Sequence, residues 1–450
     1  MVGGWRGTAA ACSVRPRLRS GLSEGVVPKR DRDENHRGAV RVGKLMALRR
    51  TLMSAGTCLL AVVFVLFGCQ LAVDNALRKA ELSLALGESS EAREHLKWVI
   101  RFWPSHAAAQ YAMGQAWLAD SDYRAAIECF SAVESKASEF EAAQQRLAAA
   151  LLLDEQLERA ELVMQESLKR FPKSVPVRRQ LASLLIGQFR EREAVEILGS
   201  VLSEPGAYAM SDRVALMQDL LAVQFNPPVA EECLKALQGS ARRHPEQQSV
   251  NAAIAHGLLA IGRTSDATAL LDRLLKGETE DCFVLLARCR LSLAAGHLGY
   301  ALTSLKSLKR MACAGNPYVQ CVHLLESEIA EHDGDWRLAL DALDRAASAR
   351  PLDRINLARR ARLLQRLGRA EEAKAVYELV HRRAKAELAI WHLLGSIQDR
   401  VPTAAGCLRL VELLDEFGNS REAEAWRILA EQVDTAIPGS ALEASNETLH

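Results

Sequence analysis

Aromatic residues are scarce in this 450-residue sequence, at 5%, and it holds only 13 prolines. Alanine, leucine, glutamate and arginine dominate instead, and these residues favour helices, whereas sheets prefer β-branched and aromatic side chains. The apolar share of 49% is enough to bury a large core, which excludes a disordered chain. The composition therefore predicts an almost wholly α-helical protein.

The local signatures of catalysis are also missing. The sequence has no glycine loop that could cradle a phosphate, no His-Glu-x-x-His metal helix and no nucleophile elbow. Its ten cysteines form no CxxC pair, and we expect them to be buried thiols rather than metal ligands or nucleophiles. These absences favour a non-enzymatic protein with no cofactor, no metal and no small-molecule substrate.

The charge is unevenly distributed. Residues 1–50 hold 12 of the 57 Lys and Arg residues but only 4 of the 56 Asp and Glu residues, which leaves 45 against 52 in the rest of the chain. Residues 1–50 are therefore basic, and the rest of the chain, which we call the body, is mildly acidic. A mildly acidic body lacks the positive surface that phosphate contacts require, so nucleic acid is excluded as a ligand.

A stretch without charged residues, 51–73, follows this basic head. As a helix its 23 residues would measure roughly 35 Å, enough to cross a hydrocarbon core of about 30 Å. We expect one transmembrane helix here. Four basic residues precede it and one acid follows it, which by the positive-inside rule keeps the N-terminus cytoplasmic and exports the remainder to a periplasm-like space: Arg41, Lys44, Arg49, Arg50 and Asp74.

Alternatives remain open for this region. Translation from Met46 would make the apolar run a conventional export signal, so that most of the basic segment 1–50, otherwise predicted to be disordered, would never be made. The run could also be cleaved completely. The stretch from Leu66 to Cys69 is similar to a bacterial lipoprotein cleavage box, in which Cys69 would be lipidated, although Phe67 fits that box poorly. The Arg-rich start also has features of a mitochondrial presequence.

An internal repeat is the strongest signal in the sequence. Alanines recur at an interval of 34 residues within three runs, and a further alanine occupies the equivalent place in a last copy. These nine alanines mark nine candidate units: Ala92, Ala126, Ala160, Ala194, Ala267, Ala301, Ala339, Ala373 and Ala423.

Each alanine stands in a similar context. In six units a glycine lies five residues earlier, where we expect it to form a turn: Gly87, Gly262, Gly296, Gly334, Gly368 and Gly418. A small residue lies twelve earlier and a large apolar one four later, which we expect to interlock across a helix pair, as with Gly114 and Phe130. Three prolines lie twelve after their alanines and should come just after the end of the second helix: Pro104, Pro172 and Pro351.

With this order of small, turn, alanine, large and proline positions, the chain resembles the tetratricopeptide-repeat family. One of the better copies runs from Met113 and Gly114 through Trp117, Tyr123 and Ala126. The resemblance implies an all-α, right-handed superhelical solenoid of helix-turn-helix repeats, in which each unit contacts only its neighbours and the first helices line a concave groove. We expect Trp98 and Trp103 to seal a joint between units.

The resemblance covers residues 74–204 and 248–435, with a degenerate repeat at 205–247 and a disordered tail at 436–450. Residues 386–402 look like half a unit, because Trp391 opens a repeat-like stretch that no alanine completes. In the last copy Arg427 replaces the large apolar residue.

The family register places seven residues in the groove: Tyr111, Gln115, Gln145, Arg179, His256, Arg290 and Arg362. Together with the predicted anchor, they lead to the hypothesis of a non-enzymatic scaffold that binds protein or peptide partners and organises an envelope complex. The alternative is a regulatory or assembly subunit of an envelope enzyme that makes polysaccharide or lipid.

Overall fold

The computed structural model describes residues 64–203, 206–225, 229–275, 280–312, 316–397 and 403–436. All regular secondary structure within these ranges is helical, as the composition predicts. The chain divides into two compact units, one up to Asp74 and one from Asn75 onward. The predicted disordered head 1–50, residues 51–63 of the predicted anchor and residues 437–450 of the predicted tail lie outside the described residues.

The described residues form 21 α-helices and one short 3-10 helix, Ser200–Ser203. The first eleven are α1 (residues 64–85), α2 (Ser89–Phe102), α3 (Ala107–Ala119), α4 (Tyr123–Ser131), α5 (Phe140–Leu153), α6 (Leu157–Arg170), α7 (Val175–Gly187), α8 (Glu191–Gly199), α9 (Met210–Phe225), α10 (Ala230–Arg243) and α11 (Gln248–Ala260). The others are α12 (Thr264–Thr268), α13 (Leu271–Leu275), α14 (Cys282–Ala294), α15 (Leu298–Met311), α16 (Val319–His332), α17 (Trp336–Ala349), α18 (Arg354–Arg366), α19 (Ala370–Ile397), α20 (Ala404–Phe417) and α21 (Ser420–Ala436).

The first unit is described only from residue 64. Residues 64–74 are helical. The large apolar side chains between positions 64 and 71 face outward, with Phe64 79% exposed, whereas Val73 is buried. Among the helices of the described ranges, none is both long and apolar enough to cross a membrane. The transmembrane helix at 51–73 stays a prediction.

The second unit contains the repeat that the sequence predicts. All nine repeat alanines lie on the second helix of a pair, and all nine are at most 1% exposed. The predicted interlock between small and large residues is confirmed at Gly114, where an added Cβ would lie 2.6 Å from the Phe130 ring. In another pair, the Cys289 thiol donates to the Ala301 carbonyl over 3.4 Å. Close approach of two antiparallel helices is therefore built into these pairs.

The predicted turns are confirmed, since all six turn glycines have positive φ angles, between 74° and 96°. The three units without glycine use the same left-handed backbone at the same position: Ser121, Glu155 and Phe189 have φ angles of 62°, 60° and 58°. A residue with a side chain is about 1–2 kcal/mol less stable in this left-handed conformation than in a right-handed one. These three turns are therefore strained, and the packing of the surrounding helices holds them in place.

The second helices follow the sequence prediction at the prolines and depart from it in the last two pairs. Helices α2, α6 and α17 end two residues before their prolines, as predicted. In the last pair Arg427 is half-buried, and its neighbour Trp426 is fully buried in its stead. The predicted half unit at 386–402 is different in form, because α19 continues without a break through Trp391.

The expectation that each unit contacts only its neighbours is wrong. We call residues 75–225 the N-terminal array and residues 229–436 the C-terminal array. The buried apolar residues of α4 to α9 are continuous with those of α19 to α21, so the end of the C-terminal array packs on the N-terminal array. The ring of Phe225 on α9 meets that of Phe417 on α20 edge to face at 4.9 Å. Such contacts are absent from a simple nearest-neighbour solenoid.

A second contact joins the arrays near the start of the C-terminal array. The carbonyl of Glu155 accepts hydrogen bonds from Ser240 at 2.9 Å and from Gln247 at 3.1 Å. The side chains of Glu158 and Gln247 then cap the first turn of the other's helix: Gln247 accepts from the Glu158 amide, and Glu158 accepts from the Ser249 amide. Because orphan amides at a helix start need acceptors, this exchange stabilises α6 and α11 together.

Candidate functional site

A groove crosses the first helices of the N-terminal array. It consists of a cavity of about 730 Å³ over α5, α7 and the start of α9 and a cavity of about 640 Å³ between α7, α9 and α10. Arg179 and Gln180 on α7 line both cavities, so the two lie side by side. We call this surface the α7 groove. Two of the seven predicted groove residues, Gln145 and Arg179, line it.

The α7 groove has an apolar floor and a polar rim. Ala182, Ile186 and Val223 form part of the floor, and the rim carries charges of both signs: Glu141, Lys173, Arg179, Asp212 and Asp219. A floor of this kind buries an apolar side chain of a ligand, while the rim offers polar contacts that fix its orientation.

An ion pair spans the middle of the α7 groove. The guanidinium of Arg179 donates to both carboxylate oxygens of Asp219 on α9, at 2.5 and 3.2 Å. The hydrogen bond to Asp219 raises the pKa of Arg179 above its usual value. Both side chains are partly exposed, so the pair contributes little to stability and could exchange Asp219 for a carboxylate of a partner.

Two amides stand next to this pair. Gln145 on α5 donates to the Ser174 hydroxyl at 3.4 Å. The Oε1 atom of Gln180 is buried and has no hydrogen-bond partner within the described residues. A buried acceptor without a donor is unfavourable, and a bound ligand that donates a hydrogen bond there would remove the penalty.

The other predicted residues fall into separate places. Tyr111 and Gln115 form a pair on α3: the Gln115 amide donates to the Tyr111 hydroxyl at 3.0 Å, and the Tyr111 ring packs on Phe130. Neither lines the α7 groove. Arg362 lies exposed on α18 of the C-terminal array. Cys69 is half-buried on the helical segment of the first unit, and its lipidation stays a prediction.

His256 and Arg290 come together, with His256 buried and Arg290 half-buried. His256 is 8% exposed, stacks on the Phe283 ring at 4.7 Å and contacts the Arg290 guanidinium at 3.3 Å. Burial, assisted by the charge of Arg290, holds the pKa of His256 well below its usual value. On the other side Arg290 acts electrostatically on Glu191 at the start of α8, whose pKa is raised by burial. These two residues therefore face another part of the same chain.

The turn before α8 and α8 itself meet the C-terminal array through polar side chains. Arg190 donates to Glu161 at 2.6 Å and to both oxygens of Glu193, and Glu193 accepts a hydrogen bond from the Tyr318 hydroxyl. Further along α8, Arg192 bonds Gln320. Burial raises the pKa of Glu161 although Arg190 opposes the shift. A cavity of about 720 Å³ remains at this junction, lined by residues of α6, α8, α11 and α14 among others.

A further cavity of about 750 Å³ lies between α2, α3 and α4. Its floor includes Met113 and Trp117, and the Arg93 guanidinium stacks on the Trp117 ring at 4.2 Å. The described residues contain no group of three or more histidine, cysteine, aspartate or glutamate side chains placed to hold a metal ion.

The thiols are placed largely as the sequence predicts. Cys289, Cys321 and Cys407 are buried, and Cys129, Cys233 and Cys282 are half-buried. Burial raises the pKa of Cys289 to about 12 and that of Cys129 to about 11. Because the thiolate is the reactive form, these cysteines are poor nucleophiles.

Sequence reasoning missed the residues on the far side of the α7 groove. Asp219 and Val223 on α9, and Cys233 on α10, come from the region predicted to be a degenerate repeat. That region carries no repeat alanine, so the register that identifies first-helix positions elsewhere could not be extended to it.

Comparisons with known proteins agree with the repeat pattern without adding to it. No protein-family model matches the chain, and no curated protein sequence matches it. Among solved structures, a tetratricopeptide repeat protein from Parabacteroides merdae is similar at 14% identity, over 56% of this chain and 97% of that one, with a TM-score of 0.30. A thermophilic tetratricopeptide-repeat protein from Thermus thermophilus is similar at 19% identity, over 42% and 98%, with a TM-score of 0.31.

The human IFIT1 dimer with PPP-AAAA is similar over a longer stretch, 79% of this chain and 89% of that one, at 13% identity and a TM-score of 0.32. Likenesses this distant carry no argument about ligands or partners. The helix pairs, buried alanines and left-handed turns described above are what make the second unit a tetratricopeptide-like helical repeat.

Proposed function

We propose that this protein is a non-enzymatic scaffold that holds a protein partner in the α7 groove. The observation that carries the proposal is the groove itself, which extends over α5, α7 and α9 with an apolar floor between charged rims. An open surface that crosses several helices suits a helix or an extended segment of another protein.

The polar groups of the α7 groove suggest how a partner is recognised. Asp219 holds Arg179 in a partly exposed pair, and a carboxylate on the partner would compete with Asp219 for the same guanidinium. Gln180 lines both cavities, and if its side chain turned outward, the amide oxygen that is now buried without a donor would accept a backbone or side-chain N–H. The partner is therefore a peptide segment with one acidic residue beside an apolar one.

We also propose that a membrane tethers the scaffold through residues 51–73. This rests on the 23-residue uncharged run and on the outward-facing apolar side chains of residues 64–71. The basic residues before the run orient the chain so that the repeats are exported, and the scaffold then organises a complex of the envelope. A lipid on Cys69 is the alternative form of the tether.

Blocking the α7 groove tests the scaffold. Ser183 is exposed within the groove, and Ser183→Arg would fill it without disturbing the core. Ser348→Arg, at an exposed position on α17, is the matched control. We expect the full chain to co-purify with a partner from cross-linked membranes, and the partner to be lost from Ser183→Arg alone. Equal recovery with both variants would remove the α7 groove from binding.

A reporter fusion tests the topology. Alkaline phosphatase joined after Leu86 should be active if residues 51–73 direct the export of the repeats. Activity only from a cytoplasmic reporter at the same place would contradict the export and the envelope role, but not the groove. Mass analysis of the mature N-terminus would then distinguish an intact anchor from an acylated Cys69.

A further inference from the structure

The end of α2 exposes an aromatic cluster that the repeat does not use. Phe102 is 68% exposed and Trp103 is 40% exposed. Their rings lie 6.3 Å apart, and Trp98 meets Trp103 nearly at right angles at 6.2 Å. The expectation that Trp98 and Trp103 seal a joint between units is therefore wrong for Trp103, which faces outward. Exposed aromatic clusters of this kind mark surfaces that contact something else.

The exposed charges of the first helix pair, which is α1 from Asn75 onward and α2, are sorted along its length. Two half-buried charges do not follow this order: Asp74 beside Asn75, and Arg93, which pairs with Asp120. The turn at Gly87 reverses the chain, so α2 runs back toward the end of the pair where Asn75 lies. Exposed basic residues stand toward the Asn75 end, and exposed acids stand toward the Gly87 turn: Arg78, Lys79, Lys97 and Arg101 against Glu81, Glu88, Glu91 and Glu94. The aromatic cluster is at the basic end.

We propose that this basic aromatic end, Trp98, Arg101, Phe102 and Trp103 with Arg78 and Lys79, docks on a membrane surface that contains anionic lipids. Tryptophan and phenylalanine are stable at the boundary between headgroups and acyl chains, and arginine and lysine beside them attract anionic headgroups. The predicted membrane segment ends at Val73, two residues before Asn75, so the chain leaves the bilayer close to this end. The inference rests on the tether in the proposed function.

The docking would hold the first helix pair against the bilayer, so that the repeats start from a fixed orientation relative to the lipid surface. A protein partner can pair with acidic or basic residues around an aromatic cluster, so it does not require basic residues alone at that end of the helix pair. An anionic lipid surface does require them. Charge complementarity therefore favours the lipid surface.

Tryptophan fluorescence of the full chain in vesicles tests the docking. The emission of Trp103 is obtained by subtracting the fluorescence of Trp103→Phe, which keeps an apolar ring, from that of the unchanged chain. In vesicles of phosphatidylcholine and phosphatidylglycerol with brominated acyl chains, we expect Trp103 to lose most of its emission and to resist quenching by aqueous acrylamide. Removing phosphatidylglycerol should reduce the quenching by bromine.

Trp391 serves as the control, because it is 44% exposed on α19 of the C-terminal array. The difference between the unchanged chain and Trp391→Phe should show quenching by acrylamide and none by brominated lipid. Equal behaviour of Trp103 and Trp391 would overturn the docking. Protection of Trp103 only after a protein extract is added would assign the cluster to a protein partner and would also overturn it.

Flotation of the same vesicles separates this inference from the tether. If the chain floats with the vesicles and Trp103 remains open to acrylamide, the tether stands and the docking fails. If the chain does not float, the tether fails, and the docking, which rests on the tether, fails with it.

Discussion

Gly257 on α11 offers a sharp test of how the C-terminal array packs on the N-terminal array. A Cβ added there would lie 2.6 and 2.8 Å from two atoms of the Phe189 ring and 3.3 Å from Leu234. Phe189 sits in the strained turn before α8, with a φ angle of 58°. The ring therefore fills the space that a side chain at position 257 would need, and the turn has little freedom to withdraw it.

Two opposing effects determine how Gly257→Ala changes the free energy of unfolding. Glycine to alanine inside a helix usually gains about 1 kcal/mol, because alanine has less backbone entropy to lose. Overpacking of a filled site costs about 1–3 kcal/mol. The two effects together should lower the free energy of unfolding of Gly257→Ala by up to about 2 kcal/mol in the unchanged chain. In a Phe189→Ala background the clash is absent, and the same substitution should be stabilising by up to about 1 kcal/mol.

Hydrogen exchange of the α11 amides, measured across a urea series, is the assay, since a long repeat array need not unfold in a single step. Gly239→Ala on α10 is the control: the nearest atom to its added Cβ is 4.0 Å away, so it should be stabilising in both backgrounds. The expected coupling between positions 189 and 257 is about 2 kcal/mol. An equal effect of Gly257→Ala in both backgrounds would refute the contact between the arrays.

Three further predictions concern single residues. Ser121→Gly should raise the melting temperature, because relief of the left-handed serine gains about 0.5–1 kcal/mol after the entropy cost of glycine, and an unchanged melting temperature would argue against strain there. His256 has a lowered pKa, so its contribution to stability is complete above about pH 6.5 and is lost as the pH falls through the folded value. His256→Phe should make the urea midpoint less dependent on pH between about pH 8 and about pH 5, where one proton accounts for up to about 1.4 kcal/mol per pH unit. Asp219→Asn should free Arg179 and strengthen the binding of an acidic partner peptide severalfold in a titration, whereas weaker binding would show that the pair itself forms the site.

Much of the fold can be predicted from the sequence because each repeat buries the same few residues in the same way. The position of Ala126 predicts the close approach at Gly114 and the large residue Phe130, since all three lie within one helix pair. The turn at Ser121 was not predicted, because the sequence pattern identified turns by glycine alone, although Ser121 stands at the same place in the register. Local packing of this kind leaves a periodic trace that a single sequence reveals.

The contacts between the arrays leave no such trace. Phe189 against Gly257 occurs once, as does the bond between Arg213 and Gln432, two residues that are 219 positions apart in the sequence. Nothing in the repeat pattern distinguishes the buried His256 and its half-buried partner Arg290 from Arg179, which lies in an open groove. For the same reason the α9 side of the groove could not be predicted, because its residues come from a segment without repeat spacing.

Cross-linking from inside the α7 groove tests the central claim most directly. A photoreactive amino acid is placed at position 183 in the groove or at position 348 on α17, and intact cells are irradiated. The scaffold account predicts a discrete protein adduct from position 183 that is absent from position 348 and that weakens when Ile186 in the groove floor is replaced by Arg. No adduct from position 183, or the same adducts from both positions, would contradict the account.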